Sequence, residues 1–289
     1  MSMSAAPQVE LRSLDTLWFQ VSGTLCNLAC THCLVSASPT NRTHDHLSLE
    51  TVERYLDEGV ELGVKESYFT GGEPFLNPQM EAIIAKALEY GPVTVLTNGL
   101  LLDAARCERL AALSSGSRYS LDFRISLDGY DAASNDAIRG AGTFDRILRA
   151  VARMYGVGLN PVITVTEVCR DVTTEEGRRR FFELLAEHGI AKARLKILPL
   201  FHIGEEEQRT GAYADWQRLL AADRPEEGWD HLQCSSCRMV TSRGVWVCPI
   251  LINEPSGRMG EHLADTLNPY PLSHQACWTC HVQGASCST

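Results

Sequence analysis

Short apolar runs alternate along this chain with stretches whose apolar residues recur every three to four positions. Residues 16–21 (Thr-Leu-Trp-Phe-Gln-Val) read as a buried strand that stops at Gly23. Ser48 then opens a helix: its hydroxyl can cap, and Glu50 and Glu53 lie near the positive end of the helix dipole. Val52, Leu56, Val60 and Val64 supply the apolar stripe, and Gly63 marks the stop. Residues 66–70 form a second strand ending in Gly71-Gly72-Glu73-Pro74. The alternation continues with a helix over 77–90, a strand over 93–96 ending in Thr97-Asn98-Gly99, and a helix over 103–113. It goes on with a strand over 123–127 ending in Asp128-Gly129, a helix over 143–155, a strand over 161–168, a helix over 173–188 and a strand over 194–200. Six strands alternating with helices imply parallel βα units. They are too few for a complete eight-stranded barrel, so the pattern predicts an open or partial barrel with a gap to be covered. Glycine and polar punctuation falls at the C-terminal strand ends, where parallel α/β folds bind ligands.

After Gly204 the pattern changes. Glu205-Glu206-Glu207 reads as an exposed charge run, 213–222 as a short helix, 224–228 as a linker, and 238–248 as a hairpin turning near Gly244. The tail, 249–289, is short on secondary structure and rich in cysteine. Such a segment buries little apolar surface and benefits from a metal staple. The expected organisation is an extension over 1–15, an α/β barrel over 16–205 and a small cysteine-rich domain over 206–289.

Composition narrows the class. At 289 residues, 44% apolar and 21% charged, the chain suits one large domain, or one plus an appendage. No run approaches the ~18 apolar residues of a membrane span, and the first residues lack a basic-then-apolar signal, so a cytoplasmic protein without a membrane partner is expected. A net charge of −10 without a basic block argues against nucleic acid as the main partner. The triplet Arg178-Arg179-Arg180 lies in a charged helical stretch and reads as a solvated face.

Eleven cysteines then change the picture. Disulfides are rare in a reducing compartment, so clustered thiols lean towards metal or catalysis. Cys26, Cys30 and Cys33 stand in C-x3-C-x2-C spacing on the loop after the first strand; Cys234, Cys237, Cys248, Cys277, Cys280 and Cys287 form a rear group. Cys107, on a helix, reads as packing. Three thiolates on one loop can converge on zinc, copper(I) or an iron–sulfur cluster. Zinc needs a fourth ligand from elsewhere, whereas a [4Fe–4S] cluster on three cysteines leaves one iron open. Spacing alone does not choose between them.

The C-x3-C-x2-C loop after a first strand, followed by Gly71-Gly72-Glu73-Pro74 after a second, resembles the radical S-adenosylmethionine (SAM) superfamily, over roughly residues 16–200. The resemblance implies a partial (β/α)6 TIM-like barrel. It implies that Cys26, Cys30 and Cys33 each bind one iron of a [4Fe–4S] cluster, and that SAM chelates the fourth iron through its amino and carboxylate groups. One electron into the sulfonium would give methionine and a 5′-deoxyadenosyl radical that abstracts hydrogen from substrate. His32 stands where the family often has an aromatic residue, a mild departure.

Other residues take their candidate roles from the same resemblance. Gly71 and Gly72 let backbone approach a ligand closely; with Glu73 and Pro74 they form a turn that can receive the methionine ammonium, or simply a strand-to-helix turn. Thr97 and Asn98, at the end of the third strand, are further cofactor-binding candidates. Ser126-Leu127-Asp128-Gly129 is similar to a stretch of SPASM-type members, in which Ser126 resembles a SAM-contacting residue; Asp128 can bind ribose or substrate, or cap the turn. Arg139, in a loop by this reading, can pair its fork of donors with the SAM carboxylate or stand on the surface. Cys169 can donate hydrogen to a substrate radical, as an epimerase requires, or be an idle thiol. Lys196 and His202 are weaker candidates for substrate contact.

The rear cysteines extend the resemblance. Cys234, nine residues, Gly244, three residues and Cys248 resemble the entry to a SPASM or shortened twitch domain, and Cys277-Trp278-Thr279-Cys280 its closing pair. Those four would hold one auxiliary [4Fe–4S] cluster. Cys237 and Cys287 are then spare, or belong to a second cluster with an open iron; a zinc knuckle takes the same ligands. The expected function is a radical SAM enzyme that oxidises, epimerises or rearranges a small molecule, with a reductant such as flavodoxin or ferredoxin. A small molecule is favoured because about fifteen residues before the first strand leave no room for a leader-binding domain. A ribosomal peptide substrate and a non-catalytic zinc- or cluster-binding scaffold are the alternatives, and cleavage of a different SAM C–S bond would show itself as a different product.

Overall fold

The computed structural model describes residues 6–226 and 228–284. A two-residue strand β1 (Gln8–Val9) precedes six strands in the expected alternation: β2 (Thr16–Gln20), β3 (Glu66–Thr70), β4 (Val93–Thr97), β5 (Leu121–Ser126), β6 (Val162–Thr166) and β7 (Arg194–Leu198). They pair in parallel in that order, with Gln20 opposite Thr70 and Thr97 opposite Ile125. Between them run α1 (Leu49–Glu61), α2 (Met80–Ala87), α3 (Ala104–Gly116), α4 (Ala132–Arg139), α5 (Thr143–Gly156) and α6 (Glu175–Glu187). Four of their starts are set by side-chain caps: Ser48, Asp103, Asp131 and Thr174 each accept the N–H three residues on.

Alternation along the strands sorts two surfaces. Phe19 and Phe69, paired across β2 and β3 with ring centroids 5.3 Å apart, belong to the main core under the helices with Ile83, Leu110, Ile125 and Ile147. Trp18 and Tyr68, one residue earlier in each strand, point the other way and stack at 4.4 Å.

Two expectations beyond β7 are corrected. Within the run 205–207, Glu205 and Glu207 are exposed as expected, but the run opens α7 (Glu205–Thr210) and Glu206 is fully buried, its carboxylate bonded by Arg209 and Thr210. Residues 213–222 do not form a helix; only a short 3-10 turn, Ala221–Asp223, occurs there, and Tyr213 and Leu219 pack instead into a second core. The hairpin is found as β8 (Cys237–Thr241) and β9 (Gly244–Trp246), followed by β10 (Arg258–Gly260) and the two-residue β11 (Tyr270–Pro271). β8 runs parallel to β2, with Thr16 opposite Cys237, so the rear segment extends the barrel sheet to nine strands and covers an edge that β2 would otherwise expose. A short helix, α8 (Ala276–Gln283), follows. The rear segment keeps its own apolar core, formed by Phe201, Trp229, Val247, Leu251, Leu272 and Cys277, among others. β1 pairs with β11, and Val9 joins this second core, which ties residues from the expected extension to the rear domain.

Phe69→Ala should cost about 3–5 kcal/mol through the cavity left under α1 and α2. Denaturant unfolding monitored by circular dichroism checks this; a loss below about 1 kcal/mol would mean that the β2–β3 packing does not support the fold.

Candidate functional site

A cavity of about 260 Å³ opens at the C-terminal ends of the parallel strands. Cys26, Cys30 and Cys33 all line it. Their loop is pinned on several sides: the Cys26 N–H donates to Ser38 O at 3.0 Å, Thr31 N–H to Ile138 O at 3.0 Å, and Glu205 N–H to Cys33 O at 3.0 Å. Gly23 enters the loop at φ +56°, and a Cβ there would lie 1.9 Å from His44 O, so glycine is required. Burial pushes the Cys26 thiol up to about 12 and Cys30 to about 11, and raises Cys33 as well. Without metal these thiols are neutral, and loading must displace their protons.

The Gly-Gly turn docks onto this loop. Gly72 N–H donates to Gly23 O at 2.8 Å and Glu73 N–H to Leu25 O at 3.0 Å. A Cβ on Gly72 would meet Leu25 O at 2.2 Å and the Cys26 Cβ at 2.8 Å. Glu73 corrects the expectation that its carboxylate helps bind a ligand. It is fully buried; Oε1 accepts from Phe75 N–H (3.1 Å) and the Thr97 hydroxyl (2.7 Å), and Oε2 from Asn98 N–H (2.8 Å). It clasps the end of β3 to the end of β4, with Pro74 starting the short 3-10 turn behind it. Thr97 and Asn98 line the cavity with their polar atoms engaged: Thr97 with Glu73, Asn98 with Asn27 Oδ1 at 2.7 Å and Leu100 N–H at 3.0 Å. Ser126 also lines it.

Asp128 is corrected more sharply. It does not line the cavity; it is buried and surrounded by protein groups. Its carboxylate meets His32 Nε2 at 2.9 Å and the Arg139 guanidinium at 2.7 Å, and accepts Thr166 N–H (2.9 Å) and hydroxyl (2.7 Å). Burial pushes its carboxyl up, but Arg139 and His32 outweigh this and hold it well below the usual carboxylate range. Arg139 is the last residue of α4, not a loop residue, and is buried while lining the cavity. Its Nε–H has no partner among the described residues. Cys169 does not line the cavity; its thiol donates to Asp171 Oδ1 at 3.3 Å, and burial together with that carboxylate pushes it up to about 12. Lys196 and His202 do not line the cavity either.

Sequence reasoning passed over Gln20. It is 1% exposed, lines the cavity, and neither atom of its carboxamide has a partner among the described residues. Its signal was a polar residue ending an otherwise apolar strand. It also passed over the roof, where Phe201, Met239, Ile250 and Ile252 come from the segment after β7 and the rear domain.

A second, small cavity of about 30 Å³ is lined by Cys234, Cys248, Cys277 and Cys280 together. Cys277 and Cys280 sit three apart on α8 and so share a face. Burial raises the Cys248 and Cys277 thiols, and Cys234 to about 12. Cys237 lies elsewhere, buried at the start of β8 beside Trp18, Tyr68 and Met239; Cys287 lies outside the described residues. Among those residues, no three His, Cys, Asp or Glu side chains are arranged to hold a single metal ion. No helix among them is long and apolar enough to cross a membrane.

The Radical SAM superfamily matches residues 21–185. The chain belongs to the radical SAM superfamily. Mycofactocin maturase MftC of Mycobacterium tuberculosis (strain CDC 1551 / Oshkosh) is 33% identical over 219 residues, 75% of this chain and 51% of its own length. GTP 3′,8-cyclase of Petrotoga mobilis is 29% identical over 207 residues, 70% of this chain and 60% of its own length. The chain thus spans about half the length of the maturase it matches. Streptococcus suis SuiB bound to S-adenosylmethionine superposes with a TM-score of 0.61 at 17% identity, covering 84% of this chain and 62% of that one. Native anSMEcpe with bound AdoMet superposes with a TM-score of 0.63 at 14% identity, covering 90% and 81%. These two likenesses show the partial-barrel fold. Family membership brings a [4Fe–4S] cluster and SAM, and the residues fit both: three thiols and the Gly71–Gly72 turn line one cavity, and Arg139 keeps an unpartnered buried Nε–H there.

Asp128→Asn leaves the buried Arg139 without its counter-charge and should cost about 3–5 kcal/mol. Chemical denaturation of the metal-free protein measures it; an Asn variant as stable as the parent would remove Asp128 from the centre of the site.

Proposed function

We propose that this chain is a radical SAM enzyme acting on a small organic molecule. The observation that carries this is the meeting of Cys26, Cys30, Cys33, Gly71, Gly72 and Arg139 around one cavity at the C-terminal strand ends. In this reading the three thiolates hold three irons of a [4Fe–4S] cluster, and the fourth iron takes SAM. Once bound, the pair supplies a 5′-deoxyadenosyl radical that removes hydrogen from the substrate. Arg139 offers Nε–H to the SAM carboxylate while Asp128 holds its other side. The Gly71–Gly72 edge presents backbone to the methionine ammonium, with Thr97, Asn98 and Ser126 beside it. Glu73 and Asp128 act at one remove, by fixing the residues that touch the ligand. Cys234, Cys248, Cys277 and Cys280 hold an auxiliary [4Fe–4S] cluster, and a flavodoxin- or ferredoxin-type protein supplies electrons. The apolar roof keeps water from the radical. Cys169 is given no part, because its thiol is bonded to Asp171 away from the cavity.

A peptide substrate is the second reading. The names of its relatives favour it: one is a mycofactocin maturase, and anSMEcpe has been solved with AdoMet and a Cp18Cys peptide, at a TM-score of 0.62.

Anaerobic reconstitution should give about eight irons per chain, the content of two four-iron clusters. Dithionite and SAM should then release 5′-deoxyadenosine. Changing Cys26, Cys30 and Cys33 to Ala should abolish that product and halve the iron; changing Cys277 and Cys280 should halve the iron and spare the product. Zinc in place of iron, with no nucleoside released, would sink the enzyme reading, and a different SAM fragment would redirect it to another C–S bond. Substrate class is read by which supplement, small metabolites or synthetic peptides, raises turnover above the uncoupled rate.

A further inference from the structure

Arg238 is the second residue of β8 and is 1% exposed. Its guanidinium donates from Nε and one terminal nitrogen to Thr266 O, at 3.0 and 2.7 Å. The other terminal nitrogen donates to Cys234 O at 2.8 Å and Cys237 O at 2.6 Å. Every one of these acceptors is a carbonyl oxygen. Among the described residues, the ionisable groups near enough to act on it are three thiols, Cys237, Cys234 and Cys248, and no carboxylate. A buried cation without a counter-ion is costly, and carbonyl dipoles offset only part of that. In the metal-free chain this cation is therefore offset by carbonyl dipoles alone.

Two of those three thiols line the small rear cavity with Cys277 and Cys280. A four-iron cluster on four thiolates is an anion, and gains further negative charge with an electron; net charge is one of the controls on its potential. We propose that Arg238 is the built-in counter-ion of the rear cluster, a fixed positive charge that raises the cluster's reduction potential and makes it a readier electron acceptor. This rests on the four-thiol reading above. Arginine suits that role because it stays charged when buried, and its fork reaches three carbonyls at once, so the charge cannot swing away. The Thr266 carbonyl, at the end of the 3-10 turn Leu263–Thr266, fixes it from a segment remote from Cys234 in sequence.

The test uses the full chain with Cys26, Cys30 and Cys33 changed to Ala, so that the rear cluster gives the only iron signal. The parent, Arg238→Lys and Arg238→Gln forms are reconstituted, counted for iron, and titrated for midpoint potential by electron paramagnetic resonance. The expected result is a lower potential in Arg238→Gln, with Arg238→Lys nearer the parent. An Arg238→Gln protein with full iron at the parent's potential would overturn the proposal, as would Lys and Gln variants shifted equally. If Arg238→Gln does not keep its cluster, metal-free thermal unfolding decides. A metal-free Gln variant as stable as the metal-free parent, with Lys retaining iron, supports the counter-ion role. A destabilised Gln variant with an iron-free Lys variant makes Arg238 a structural clasp. Zinc or no metal in the parent background overturns the four-thiol reading itself, and the counter-ion role with it.

Discussion

The buried carboxylate of Asp128 holds together parts of the chain that lie far apart in sequence. It stands just past β5, takes Thr166 from the end of β6, Arg139 from the end of α4 and His32 from between two of the loop cysteines. Each partner alone would be unfavourable: a buried arginine or carboxylate without its opposite destabilises by about 3–5 kcal/mol. Together they fix a guanidinium at the cavity wall with one face satisfied and Nε–H still open. The departure of His32 from an aromatic residue has its cause here. A hydrocarbon ring could fill the slot but could bring no polar atom to Asp128, whereas Nε2 lies 2.9 Å from its carboxylate. Position 32 and position 128 therefore constrain each other, and Glu73 makes the same kind of clasp between β3 and β4.

The rear segment is bound to the barrel by sheet, core and the strand that precedes the barrel. β8 continues the sheet beside β2, Phe201 and Ile203 enter the second core just after β7, and β1 pairs with β11. Few of its residues lie in long regular elements, so its stability leans on this shared packing and on whatever its four clustered thiols bind. The same residues roof the front cavity through Met239, Ile250 and Ile252. Ile250 belongs to the second core, Met239 and Ile252 pack with Trp18 and Tyr68, and Cys248 touches both groups, so loading the rear thiols and shaping the front cavity are linked through adjoining packing.

The βα alternation was legible because it depends on periodicity and caps, both local. Ser48, read as a cap, named the start of its helix, and Gly72 announced a close approach, which the structure shows as 2.2 Å from a would-be Cβ to Leu25 O. Thiol partition was legible too: the four residues matched to an entry and a closing pair share one cavity, and Cys237 does not. What stayed illegible was direction. Nothing local tells whether a carboxylate at a strand end faces a ligand or a neighbouring strand, so Glu73 and Asp128 read as ligand contacts. Glu206 read as solvated because its partners, Arg209 and Thr210, bury it only once α7 forms against the cluster loop. The apolar residues of 213–222 mimic a helical stripe, but Tyr213 and Leu219 enter the second core while Trp216 and Leu220 stay exposed.

Two buried arginines stand beside two groups of thiols, and their surroundings differ in one respect. Arg139 acts on Cys30 and Cys33, but Asp128 sits 2.7 Å from it and offsets its charge. Arg238 acts on Cys234 and Cys248 with carbonyl oxygens as its hydrogen-bond partners. Asp128 thus offsets the charge of Arg139, whereas the acceptors around Arg238 are carbonyl dipoles. On the proposed four-thiol reading, Arg238 makes the rear cluster the more accepting. On the same reading, an electron left on a substrate radical at the front cavity finds such an acceptor at the rear, and Ile250 lines both cavities.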